Sequence, residues 1–167
     1  MPAKIVELAN GVVSLLQAAI SANQIGSGSV PREVSRVPFV RTEQANDETG
    51  TIRLRVAARS SAGEPIGRGG NSQHDEVIYV ATLRKLKSTE QSDADVADAI
   101  DALLLIQEQI EDCLTKDTHQ RPAAHAAFIG FNYGMSGNKQ GLKFNPEGIT
   151  ERRQFEAIMQ VTYRGSR

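Results

Sequence analysis

The sequence predicts an α+β fold: a mostly antiparallel β-sheet with two main α-helices packed on one face and one long hairpin loop. Three observations carry that expectation. Residues 51–59 and 75–87 alternate like strands and are separated by a glycine-rich stretch. Residues 88–116 hold a long amphipathic pattern of helical period. Residues 154–165 alternate again, so strands neighbour strands instead of taking turns with helices. A chain of 167 residues suits one domain over residues 1–167, with enough apolar side chains (40%) for a real core.

The elements follow in order. Residues 2–21 read as an amphipathic helix, with Ile5, Leu8, Val12, Leu15, Leu16 and Ile20 at helical spacing. Gly11 inside it weakens the helix by up to ~1 kcal/mol relative to alanine. The stretch "NQIGSGSVP" (23–31) ends it with glycine, serine and proline. "RVPFVRTE" (36–43) is a short extended candidate, and Pro38 marks it as an edge strand or a loop.

In "TIRLRVAAR" (51–59), Ile52, Leu54 and Val56 point one way and Arg53, Arg55 and Ala57 the other. That is a half-buried strand with a basic outer face. In "DEVIYVATLRKLK" (75–87) both faces are apolar, which places the strand centrally in the sheet. In the helix of residues 88–116, Ser92 and Asp95 form a capping-box pattern. Its core stripe is Val96, Ile100, Leu103, Gln107, Ile110 and Leu114, widened by Leu104 and Ile106. Residues 117–153 read as irregular, apart from an extended segment around "AAFIGFNY". In the closing strand Phe155, Ala157, Met159, Val161 and Tyr163 share one face.

Composition narrows the function. Nineteen basic and twenty acidic residues give a net charge of −1, without the basic excess of a dedicated nucleic-acid binder. One cysteine, Cys113, rules out an internal disulfide and reads as a small, half-buried side chain. The beginning "MPAKIVELANGVV" is not a signal-peptide pattern, and no window approaches ~18 uninterrupted apolar residues. The expectation is a soluble protein made and kept inside the cell, with no membrane partner.

The stretch "SSAGEPIGRGGNSQHDE" (60–76) is the one place that suggests a ligand loop. A phosphate-binding P-loop needs a lysine followed by serine or threonine after its last glycine. None follows Gly63, Gly67, Gly69 and Gly70, and the stretch opens a strand where a dinucleotide loop opens a helix. It reads as the tip of a hairpin. His74, His119 and His125 match no common zinc spacing. Asp93, Asp95, Asp98, Asp101, Glu108, Glu111 and Asp112 fall on the solvated side or first turn of one helix. No serine stands in a nucleophile elbow. The sequence therefore names no catalytic, cofactor or metal residue, and the expectation is a protein that is not an enzyme. Arg53, Arg55 and Arg59 line one side of a strand: either they keep a strand face soluble, or they meet the acidic helix face of a neighbouring subunit.

Read as a whole, the chain resembles the tail terminator (tail completion) proteins of long-tailed bacteriophages. The likeness is carried by the N-terminal helix "PAKIVELANGVVSLLQAAI" and by "TIRLRVAAR", joined through a polar loop to "DEVIYVATLRKLK". The helix "DADVADAIDALLLIQEQIEDCL" follows at once, and "RRQFEAIMQVTYRG" closes the chain. It spans nearly the whole sequence but is one of pattern and order, shared in part by other neck proteins of phage particles.

The resemblance implies a structural virion protein, assembled in the host cytoplasm, that forms a homo-oligomeric ring, usually a hexamer. Such a ring caps the tail tube at the head-proximal end, stops its growth and meets the head–tail connector. DNA passes through its lumen without specific binding, which a non-basic chain suits. Candidate contact residues are then Arg53, Arg55 and Arg59, with Glu64, Arg68, His74 and Asp75 of the loop acting as an assembly arm, and Arg152, Arg153 and Arg164 around the closing strand. Two other readings fit the same residues. One is a different neck or tail structural protein, adjacent to the connector or part of the tube. The other is a small α+β ligand-binding enzyme in which Arg68, His74 and Asp75 converge.

Overall fold

A computed structural model describes residues 3–26, 30, 32–41, 50–59, 73–115, 122–124, 126–134 and 143–166. The elements are α1 (Lys4–Ser21), β1 (Arg32–Arg36), β2 (Ile52–Arg59), β3 (Gln73–Lys85), α2 (Asp93–Thr115), β4 (Ala126–Tyr133), α3 (Pro146–Arg152) and β5 (Gln154–Ser166). The five strands form one sheet in the order β1-β2-β3-β5-β4. All pairings are antiparallel except β1 with β2. This is the expected α+β architecture, with β3 in the middle.

The strand register decides which side chains share a face. Leu54 lies opposite Thr82 and Val56 opposite Val80, while Val80 meets Met159 and Ile78 meets Val161 on the far side. Because side chains alternate, these residues line the same surface of the sheet. Upon it pack Leu8, Val12 and Leu16 of α1 and Leu103, Ile106 and Ile110 of α2, all in one buried cluster. By length and mean hydropathy (1.2) α1 is apolar enough to cross a membrane. Leu8, Ala9, Val12, Leu16 and Ala19 of that helix are buried in the core shared with the sheet.

The helix ends follow local chemistry. At the start of α2, the Asp95 amide donates to Ser92 Oγ (3.1 Å) and the Ser92 amide to Asp95 Oδ2 (3.3 Å). That reciprocal capping box sets the start at Asp93, five residues later than the pattern of 88–116 suggests. Beyond α1 the chain turns at Asn23 and Gly26, both at positive φ. Gly26 occupies a conformation that glycine takes at no steric cost.

Two expectations are corrected. The strand sought at residues 36–43 lies earlier, at Arg32–Arg36, and is an edge strand parallel to β2. The Val37 amide still donates to the Val56 carbonyl (2.8 Å), and Pro38, which has no amide hydrogen, then ends the ladder. The irregular reading of residues 117–153 missed α3. Asn145 caps it by accepting from the Glu147 amide (3.2 Å), and Pro146 occupies the first turn. A third helix therefore joins the two expected ones.

Candidate functional site

The sheet surface turned away from α1 and α2 carries the charged residues singled out from the sequence. Alternation puts Arg53, Arg55, Ala57 and Arg59 there, together with Asp75, Val77, Tyr79, Ala81 and Leu83 of β3. Glu156, Ile158, Gln160, Thr162 and Arg164 of β5 continue it. The short helix α3 packs at one end of this surface: a Cβ added at Gly148 would lie 2.8 Å from the Gln154 carbonyl oxygen and 3.1 Å from Glu156 Cδ.

Each candidate arginine described here has a partner within its own chain. Glu33 of β1 stands between two of them, with Oε1 3.7 Å from Arg53 Nε and 3.0 Å from Arg55 Nη2. Arg55 also donates to Ser35 Oγ. The basic face of β2 thus clips the edge strand β1 to the sheet. Arg59 donates to the Tyr79 hydroxyl (2.6 Å) and lies over its ring. Arg164 makes a two-pronged contact with Asp75, at 2.8 and 3.1 Å, and this guanidinium holds the Asp75 carboxyl below its ordinary value.

Arg152 reaches the buried Glu156 carboxylate at 2.9 Å, which also accepts from Gln154 Nε2 and Asn145 Nδ2 (3.1 Å each). Arg153, in a left-handed conformation (φ 50°), donates to the carbonyls of Glu90 (2.6 Å) and Lys87 (3.3 Å). It ties the start of β5 to the chain entering α2. His74 sits in β3 opposite Gly165. Its side chain, and Glu64 and Arg68, lie outside the described residues, as does the connection of residues 60–72. β2 and β3 are hairpin partners, as expected.

Among the described residues no group of three His, Cys, Asp or Glu side chains could hold a metal ion. Cys113 is half-buried, its thiol pushed up by burial and directed at the Leu15 carbonyl (3.9 Å).

Two features escaped the sequence reading. The first is a groove of about 510 Å³ between α2 and the β1 side of the sheet. Val30, Ile52, Leu103 and Ile106 give it an apolar floor, Leu105 stands at its mouth with 56% of its surface exposed, and charges of both signs line it, Glu90, Asp95 and Asp98 beside Arg32, Arg84 and Lys87. The Gly26 amide, donating to Gln109 Oε1 (2.7 Å), closes one end. The second is the opposite edge of the sheet. There β4 exposes Phe128 (37%), Ile129 (46%) and Phe131 (42%). The stretch "AAFIGFNY" has no charge and no alternation, and that was the signal available. Tyr133 anchors the strand by donating to Glu111 of α2; burial, with that bond, drives its hydroxyl pKa upward.

No family model matches the chain, and no curated protein matches it.

Proposed function

We propose that the chain is a ring-forming structural protein of a bacteriophage tail, a terminator that caps the head-proximal end of the tail tube and receives the head connector. The observation that carries this reading is the order of elements within one layer. An N-terminal helix, a hairpin with a long connection, an acidic helix and a closing strand build one sheet covered by its two long helices on a single face. The resemblance stated above joins those same segments in the same order. The net charge of −1 supports a lumen through which DNA slides without being held.

The reading calls for self-association and for contact with tube ends. Purified protein mixed with growing tail tubes should bind one end of each tube and stop elongation, as seen by negative-stain microscopy of tube lengths. Tubes that grow unchanged, with no added density at either end, would contradict it.

A further inference from the structure

We propose that neighbouring copies join head to tail, with the acidic outer face of α2 in one copy lying against the basic edge around Phe39 in the next. This rests on the ring-forming reading and names the surfaces that build the ring. Among the described residues Leu105 (56%) and Phe39 (54%) are the two most exposed large apolar side chains. Each stands among charges of one sign.

Leu105 lies on the side of α2 turned away from the core. Asp101 and Glu108 are one turn from it and Asp98 and Asp112 two turns, all of them exposed. The helix carries seven acidic residues and no basic one. Asp112 even stands in its last turn, where the helix dipole favours a cation. Lys143 approaches Glu108 and Glu111 only at 3.9 and 3.8 Å. Asp98 and Asp101 meet no cation among the described residues, whereas Glu33, Asp75, Glu90 and Glu156 each hold an arginine of their own chain. Like charges at this spacing destabilise a helix, so the free chain keeps a pattern that a cationic neighbour would relieve.

Phe39 follows β1, the first strand of the sheet, and stands between Arg36 and Arg41, all three exposed. Arg36 donates to the neutral Asn10 Oδ1 (3.2 Å), and Arg41 lies 4.7 Å from the centre of the Phe39 ring. A contact with a ring face uses none of the N–H donors of a guanidinium. Neither arginine meets a carboxylate among the described residues, so both are open to one from outside the chain. A leucine rimmed by carboxylates and a phenylalanine rimmed by guanidiniums match in charge and in apolar centre. The two surfaces belong to different elements, α2 in the helix layer and the chain after β1 at the sheet edge. Their contact is therefore heterologous, the kind that closes into a ring when the rotation per copy allows.

The test is charge reversal, read as mass by light scattering, with every variant checked for folding by circular dichroism. Asp98→Arg with Asp101→Arg, and separately Arg36→Glu with Arg41→Glu, should each weaken association by about tenfold or more. All four changes in one chain should restore it, and about 1 M salt should dissociate the wild type. Charge-reversed pairs that associate like the wild type, or a folded four-site variant that stays apart, would overturn this interface and leave the ring reading standing. Leu105→Cys with Phe39→Cys in a Cys113→Ala background should give a ladder of multimers after mild oxidation; an oligomer without a ladder would overturn it too. If the wild type assembles only on tube ends, the same variants are scored by the density they add there. Wild-type protein that neither associates nor binds tube ends would remove both proposals.

Discussion

Asp75 and Arg164 face each other across β3 and β5, with the guanidinium 2.8 and 3.1 Å from the two carboxylate oxygens. The pair closes the end of the sheet where β3 leaves the hairpin connection. Its register partner on the outer side is Ala127, the second residue of β4.

The pair fixes one pH dependence. Its bonds to Arg164 hold the Asp75 carboxyl below 3.8, so the contribution is present above the unfolded-state value and is lost as pH falls through the folded one. Asp75→Asn should therefore melt below wild type at neutral pH, and the difference should shrink progressively as pH falls below 3.8. A difference that persists unchanged in acid would mean that Asp75 acts through something other than its charge.

Gly11 gives a prediction whose sign reverses between sequence and structure. Helix propensity alone says that Gly11→Ala stabilises α1 by up to ~1 kcal/mol. Here a Cβ would fall 1.6 Å from the Pro122 carbonyl oxygen, a backbone atom that cannot swing aside. The expected result is a loss of roughly 1–3 kcal/mol in urea unfolding, the usual range for overpacking.

Thr82 and Gln107 are both fully buried, and the Thr82 hydroxyl donates to Gln107 Oε1 at 2.8 Å. Gln107→Leu alone should cost about 1–3 kcal/mol, because a buried hydroxyl loses its acceptor. Adding Thr82→Val should recover much of that loss, since the pair is then apolar on both sides. A double-mutant cycle by chemical denaturation measures the coupling.

The clip around Glu33 predicts what the β2 arginines do. Arg53 and Arg55 have side chains only 16% and 21% exposed and share that one carboxylate. Replacing both with glutamine should lower the stability of the free chain by roughly 1 kcal/mol, the upper end for partly exposed ion pairs. Amide exchange in β1 should quicken at the same time. Unchanged exchange there, with weaker association, would assign these arginines to a neighbouring subunit instead.

Much of the fold was legible because patterning and burial agree. Leu54, Val56, Met159 and Val161 alternate as strand residues must, and each is fully buried. Gln107 sat on the core stripe despite its polarity, and a partner across the layer explains it. β1 was misplaced because a five-residue parallel edge strand takes its register from β2 and has little pattern of its own. α3 was missed although "NPEG" carries a cap and a proline, since seven residues are too few to show a helical period. Contact candidates such as Arg53 and Arg164 were found by charge, yet charge alone could not say that their first partners lie within the same chain. The groove and the bare β4 edge arise from how distant segments are brought together, which no local spacing encodes.

The most direct test of the central claim is the mass of the purified protein in solution by light scattering, with electron microscopy of the same fractions. The account predicts a concentration-dependent species near six times 18.1 kDa, seen as closed rings, or the same rings on the ends of added tail tubes. A monomer at every concentration, with no rings and no binding to tubes, would contradict it.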